Sequence, residues 1–323
     1  NPAASSTHQP DFHPAPDFFA LFPRVNTDIA ISHRFNYSTP DYQENQERNI
    51  MIQKGATYVV MGLLDPDSIA YSVGRDIKKL GGNVIFTAQN ERLKSIFFDR
   101  SKKLQVGEAD DLRIEYCDVT KEEEVRDLFA KIGPIAGVVH SIGYANPKTA
   151  LGQEFHTDAI EDLKVSFHIS CVSLATVARH AFPYMKGGGS IVTLTFEAAK
   201  AFAYYNWMGV NKAALEALTR GLARRHGQDL VRVNAISAGP LTTKAASSIP
   251  GFSELSQTWN KQSPLPWDTI NDKDEVAHAV LFLLGPYSKK ITGQVIYVDG
   301  GASIIGGELL PFERSENNPY IGA

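Results

Sequence analysis

From Gly55 onward the chain alternates short apolar, β-branched runs with segments of helical period, and this alternation is what most limits the folds open to it. Such a pattern is the sequence form of repeated βαβ units. It demands a parallel sheet with helices on both faces, because parallel strands need crossovers that cover them. Seven strands are expected, at Thr57–Met61, Asn83–Thr87, Leu112–Tyr116, Ala136–His140, Ser190–Thr195, Val231–Ser237 and Gln294–Val298. Helices are expected at Ser68–Leu80, after Gln89, at Lys121–Ile132, in a long segment ending near Pro183, at Tyr204–His226 and at Asp272–Leu284. The fold class is therefore α/β, a single doubly wound seven-stranded parallel sheet. Glu122 to Glu124 suit a solvated first helical turn, where the helix dipole favours carboxylates.

Residues 1–54 have no sustained period and carry scattered prolines, so they form an N-terminal extension, largely irregular, ahead of one domain at 55–323. Asp17 to Phe22 is a short apolar cluster that either docks on the domain or a neighbouring subunit, or collapses locally. Acidic residues such as Asp11, Asp17 and Asp28 argue against an intact transit peptide. A cytoplasmic location is expected, with an organellar lumen as the alternative if an upstream targeting segment was removed. A net charge of -4 provides no basic field for a phosphate backbone, so nucleic acid is not an expected partner. Cys117 and Cys171 are far apart and outside any C-x-x-C spacing, which argues against a disulfide framework or a structural zinc site, and the apolar runs fall short of the ~18 residues of a membrane span. His140 and His168 have no second ligand at a useful spacing and read as core or pocket-wall residues, so no metal is expected.

The ends of the strands carry the chemistry. After the first comes Gly62, then five residues, then Ser68-Ile69-Ala70 opening a helix; alone this is a tight turn and a helix cap. Small or polar turns also follow four other strands: Gln89-Asn90, Cys117-Asp118-Val119, Ser141-Ile142-Gly143 and Ser237-Ala238-Gly239-Pro240. Together they ring the crevice where a doubly wound sheet binds a dinucleotide, making the fold Rossmann-like. Asp65 and Asp67 would repel phosphate and should face solvent. A 2′-phosphate needs positive charge near the ribose, and Thr87 to Asn90 supplies none before Arg92, so NADH/NAD is expected rather than NADPH.

Tyr205 and Lys212 lie about two helical turns apart at the start of the helix after the fifth strand. A phenol there can donate to an oxygen gaining charge, and an ammonium can hold the ribose and lower the cost of that charge. Tyr204 leaves the register open to a neighbouring tyrosine. From about Thr57 to Gly301 the chain resembles the enoyl-acyl carrier protein reductases, a divergent branch of the short-chain dehydrogenase/reductases. The motifs that carry the likeness are G-x5-S-I-A, C-D-V, H-S-I-G-Y-A, Y-N-W-M-G-V-x-K, V-N-A-I-S-A-G-P and V-D-G-G.

That resemblance implies NADH-dependent reduction of the trans-2 double bond of an enoyl thioester, on acyl carrier protein or coenzyme A, in fatty acid synthesis. Catalysis would fall to Tyr205 and Lys212. The Tyr-x6-Lys spacing matches enoyl reductases, whereas carbonyl-reducing relatives carry Tyr-x3-Lys, and here that earlier position is Met208. Gly62, Ser68 and Ile69 would line the pyrophosphate, Asp118 and Val119 the adenine, and Ile142 and Gly143 the nicotinamide side. Gln89, Ser141, Ala238, Gly239 and Pro240 would complete the cofactor wall, with Lys212 on the ribose and Leu241 and Thr243 closing over the carboxamide and phosphate. The substrate would meet Tyr205, Ala145, Met208 and Phe196, the last resembling the mycobacterial type. It would also meet an apolar wall of Ala245, Ala246, Ile249 and Phe252 on a lid at about 241–266. The lid is shorter than in the mycobacterial type, so very long acyl chains are not implied. A C-terminal tail would run from about 303 to 323, and a homotetramer is implied. Alternatives are a reductase of another enoyl or carbonyl substrate, such as a polyketide-type intermediate, or a non-catalytic dinucleotide-binding partner protein.

Overall fold

A computed structural model of the chain describes residues 51–101, 112–152 and 154–309. The apolar cluster near Phe18, nearly all of the expected extension and the end of the C-terminal tail lie outside the described residues. Seven strands form one sheet: β1 Thr57–Met61, β2 Asn83–Ala88, β3 Ile114–Tyr116, β4 Gly137–His140, β5 Gly189–Thr195, β6 Val231–Ala238 and β7 Val295–Val298. Their order is β3-β2-β1-β4-β5-β6-β7, and every pairing is parallel.

Burial on both faces explains why these strands read as continuous apolar runs. Along β1, Tyr58 and Val60 enter one core while Val59 and Met61 enter the other, as the two-residue period of a strand requires. The first core packs under α1 (Ile69–Lys79) and α8 (Lys273–Leu284) through Val73, Ile77, Val276 and Val280. The second packs under α3 (Glu122–Ile132), α5 (Ser173–Ala181) and α6 (Asn206–His226) through Phe129, Val177 and Leu215. Gly74 lets α1 approach the sheet closely, since a Cβ there would lie 2.1 Å from the ring of Phe86.

Differences from the sequence expectations are local. The segment after Gln89 is one short turn, α2 (Glu91–Leu93), that widens into a π-helical stretch through Asp99. The long helix before β5 is α4 (Ile160–Phe167) joined to α5 by a π-helical turn at His168–Val172. The lid stretch, read from the sequence as helix-like to Asn260, does form a helix, α7 (Phe252–Gln262). Asp65 and Asp67 do not face open solvent: both are half-buried, and the Asp67 carboxylate meets Lys273 Nζ at 3.1 Å. An ion pair with α8, rather than exposure, neutralises Asp67.

Candidate active site

Between β1 and β4 the strand order reverses, and the diverging loops leave a crevice outside the carboxyl ends of the sheet. There the turns after β1 and β4 touch. Gly62 has φ +90°, and a Cβ on it would lie 2.0 Å from the Ser141 carbonyl oxygen, so only glycine fits. Six residues on, Ser68 caps α1: its Oγ accepts from Tyr71 N–H at 3.2 Å. This puts the positive end of the α1 dipole at the crevice. The crevice opens into a cavity of about 830 Å³, within the usual range for small-molecule sites.

All the residues expected at the site line this one cavity. On the side expected for the dinucleotide are Gly62, Ser68, Ile69, Gln89, Asp118, Val119, Ser141, Ile142, Gly143, Ala238, Gly239, Pro240, Leu241 and Thr243. Ala145, Phe196, Tyr205, Met208, Lys212, Ala245, Ala246, Ile249 and Phe252, expected for catalysis and for the substrate, line the cavity too. Tyr205 lines the cavity and Tyr204 does not, which separates the two tyrosines.

At the end of β2, Gln89 Nε2 donates to Asp118 Oδ2 at 3.1 Å, and the Thr120 amide and hydroxyl donate to Oδ1. Burial pulls the Asp118 pKa upward, but these hydrogen bonds outweigh it and hold the carboxyl below its ordinary value. Lys94 is tied to Asp99 at 2.8 Å, and Arg92 is exposed outside the cavity wall. This part of the crevice thus presents an amide and a carboxylate.

Tyr205 stands immediately before α6, and Lys212 follows on the same helix. Lys212 is buried, and its Nζ donates to the Leu194 carbonyl at 2.8 Å. Desolvation lowers its pKa to about 8, against the opposing pull of Cys171 and Glu216. A Cβ on Gly143 would stand 3.8 Å from that Nζ, so the β4 turn passes beside the ammonium. Burial raises the Tyr205 pKa and keeps the phenol protonated. The edge of its ring meets Phe196 at 4.9 Å and 63°, and Phe196 packs in turn on Phe202 and Trp259. His140 is wholly buried between Thr193 Oγ1 at 3.0 Å and Ser173 Oγ at 2.8 Å; burial, then the Lys212 charge, lowers its pKa to about 3. His168 is half-buried on the π-helical turn. Among the described residues no group of three His, Cys, Asp or Glu could hold a metal ion.

Two tryptophans that sequence reasoning missed pin the segment over the crevice. Trp259 Nε1 donates to the Asp299 carbonyl at 2.9 Å, and Trp267 Nε1 to the Pro240 carbonyl at 2.8 Å. Gly239 is pinched between them, a Cβ there lying 2.7 Å from Trp267 and 2.9 Å from Trp259 Nε1. Val165 and Ile169, one helical turn apart, and Leu151 and Leu255 add apolar wall that was not anticipated. The helical spacing of the first two was a usable signal; Leu151 and Leu255 carried none.

A helix N-terminus, a buried ammonium with only one N–H donor occupied by the protein among the described residues, and Val119 and Ile142 as apolar walls fit a nicotinamide dinucleotide. Fold and site together define a doubly wound dinucleotide-binding protein with a tyrosine and a lysine at its switch point. The family model described as enoyl-(acyl carrier protein) reductase matches residues 62–303. The chain belongs to that family. It is 36% identical over 258 residues to the NADH enoyl-[acyl-carrier-protein] reductase FabI of Bacillus cereus, covering 78% of this chain and 98% of the relative. The NADH enzyme of Rickettsia conorii is 35% identical over 262 residues, covering 80% and 98%. The NADPH enzyme of Staphylococcus aureus is 37% identical over 250 residues, covering 76% and 95%.

Proposed function

We propose that this chain reduces the trans-2 double bond of an enoyl thioester on acyl carrier protein, with NADH as reductant, in fatty acid synthesis. The observation that carries the assignment is the protonated Tyr205 phenol and the Lys212 ammonium lining one cavity at the strand-order reversal. When bound, the reduced nicotinamide supplies the hydride that the β-carbon of the substrate accepts. Tyr205 donates a hydrogen bond to the thioester carbonyl oxygen as that oxygen gains charge; in a desolvated site such a donor is worth far more than in water. Lys212 binds the ribose, and its positive charge beside the crevice lowers the cost of the developing enolate. Protonation at the α-carbon completes the reduction.

Ala145, Phe196, Met208 and the lid residues Ala245, Ala246, Ile249 and Phe252 enclose the acyl portion and exclude water. Gln89 and Asp118 favour a free 2′-hydroxyl over a phosphate, which supports NADH. Domain boundaries at about residue 54 and a lid at about 241–266 belong to the same proposal. So does a homotetramer built on the exposed apolar residues Ile160, Phe167 and Val172 before β5 and Val210 after it. Among the described residues no helix is long and apolar enough to cross a membrane. The cytoplasmic location expected from the sequence is part of the same proposal.

The test follows NADH consumption with a trans-2-enoyl thioester and, as a comparison, a ketone. The wild type should turn over the thioester alone. Tyr205→Phe should lower turnover by about 10²–10³-fold, the range for a lost donor to a developing oxyanion, with NADH binding retained. Undiminished turnover in that variant would remove Tyr205 from the chemistry.

A further inference from the structure

Tyr204 and Gly251 both have left-handed backbones, and they touch. Tyr204 has φ +68°, a conformation that a tyrosine keeps only when its surroundings impose it. Gly251, at φ +71°, is the residue from which α7 of the lid starts. A Cβ on Gly251 would lie 2.4 Å from Cδ2 and 2.5 Å from Cε2 of Tyr204, so the phenol ring is seated directly against the glycine. On its other side Tyr204 is held through its backbone. Its carbonyl accepts the Gly152 N–H at 3.1 Å, Tyr205 forms a parallel bridge with Gly152, and Tyr205 N–H donates to the Phe202 carbonyl at 3.3 Å.

The two tyrosines thus divide the work. Tyr205 faces the cavity, and its neighbour faces the beginning of the lid. The backbone angles at residue 204 set the peptide plane that leads into Tyr205, and therefore the direction in which its side chain leaves the chain. A left-handed tyrosine returns to negative φ once its contacts are withdrawn. From this we infer that Tyr204 is a positioning residue: its ring, seated on Gly251, couples closure of the lid to the aim of the Tyr205 hydroxyl. With the lid down, Gly251 holds the Tyr204 ring and Tyr205 points into the cavity. With the lid lifted, Tyr204 relaxes and Tyr205 turns from its working position. The inference rests on the assignment of Tyr205 as the group that touches substrate.

Two measurements on the whole protein test it: hydrogen exchange of the peptides spanning 202–209 and 245–260 with NADH bound, and steady-state turnover of an enoyl thioester. Tyr204→Asn removes the ring but tolerates positive φ. It should raise exchange in both peptides together and lower kcat by about 10- to 100-fold, the scale for a slightly misplaced catalytic group, with the KM for NADH unchanged. Tyr204→Phe keeps the ring and should keep the wild-type exchange and kcat. Gly251→Asn also tolerates positive φ, but its Cβ displaces the ring, so it should reproduce the loss. Combining it with Tyr204→Gly, which tolerates positive φ and removes both the ring and the Cγ that would stand 2.7 Å from the added carbon, should cost nothing beyond Tyr204→Gly alone. Exchange confined to one peptide, an unchanged kcat in Tyr204→Asn, or losses that multiply in the double variant would each overturn the coupling. A wild type inert toward enoyl thioesters would refute the assigned reaction instead, and the paired exchange of the two peptides would still decide whether the lid and residue 204 move together.

Discussion

Replacing Lys212 with methionine should make the dinucleotide-free protein more stable at neutral pH while removing its ability to hold the cofactor. The lysine is buried with a pKa of about 8, against ~10.4 for a lysine in an unfolded chain. At ~1.4 kcal/mol per pH decade, keeping the ammonium charged in the fold costs about 3 kcal/mol at pH 7. Below pH 8 both states carry the proton and the full cost applies. Between about pH 8 and 10.5 the unfolded chain keeps a proton that the folded chain has released, so this contribution to stability rises with pH. Above that window the cost is gone.

Methionine fills a similar volume without charge, but it leaves the Leu194 carbonyl without its donor, which costs about 1–2 kcal/mol. The net gain is about 1–2 kcal/mol at pH 7, an increase in Tm of roughly 2–6 °C for a domain of this size. Thermal unfolding without dinucleotide, at pH 7 and near pH 10.5, measures it: the advantage should shrink or reverse at the higher pH. Excess NADH should invert the order at pH 7, because ligand at 100 Kd stabilises the wild type by about 2.7 kcal/mol and the variant by much less. A dinucleotide-free variant that melts below wild type at pH 7, or a gap that does not change with pH, would refute the reasoning.

Gly62→Ala places a methyl group 2.0 Å from the Ser141 carbonyl at a positive φ, so NADH affinity measured by fluorescence titration should fall at least tenfold. Gln89→Arg brings a guanidinium beside Asp118, where the proposed function puts the ribose, and the ratio of kcat/KM for NADPH over NADH should rise by about an order of magnitude. Phe196→Ala opens the aromatic cluster around Tyr205, and urea unfolding should show a loss of about 3–5 kcal/mol along with a lower kcat.

The bounds of β1 are the ones expected from sequence, because a strand buried on both faces has no exposed position to blur its apolar run. The turn residues of the site were legible for a related reason: at the carboxyl edge of a parallel sheet, small and polar residues replace the apolar ones where packing ends. Winding was less legible. The π-helical turn at His168–Val172 adds one residue to a helical turn without altering composition, and the pattern on either side stays helical. Long-range pairing was not legible at all. The Asp67 carboxylate looked hostile to phosphate and therefore solvent-facing, but its partner Lys273 lies 206 residues away in the chain. Trp259 and Trp267 find their carbonyl partners only once the lid segment has folded back over the sheet.

The all-parallel order of the sheet also governs how the protein is made. No two neighbouring strands can be joined by a tight turn, and the central pairing of β1 with β4 unites residues 58–61 with residues 137–140. Topologies that depend on such distant contacts fold in milliseconds to seconds rather than microseconds. The cavity draws its walls from residues as far along as Leu255, so the dinucleotide cannot guide the first steps and can only trap the finished state. During synthesis the apolar central strands are exposed until their partners have been translated, and exposed strands of that kind are the ones prone to aggregate.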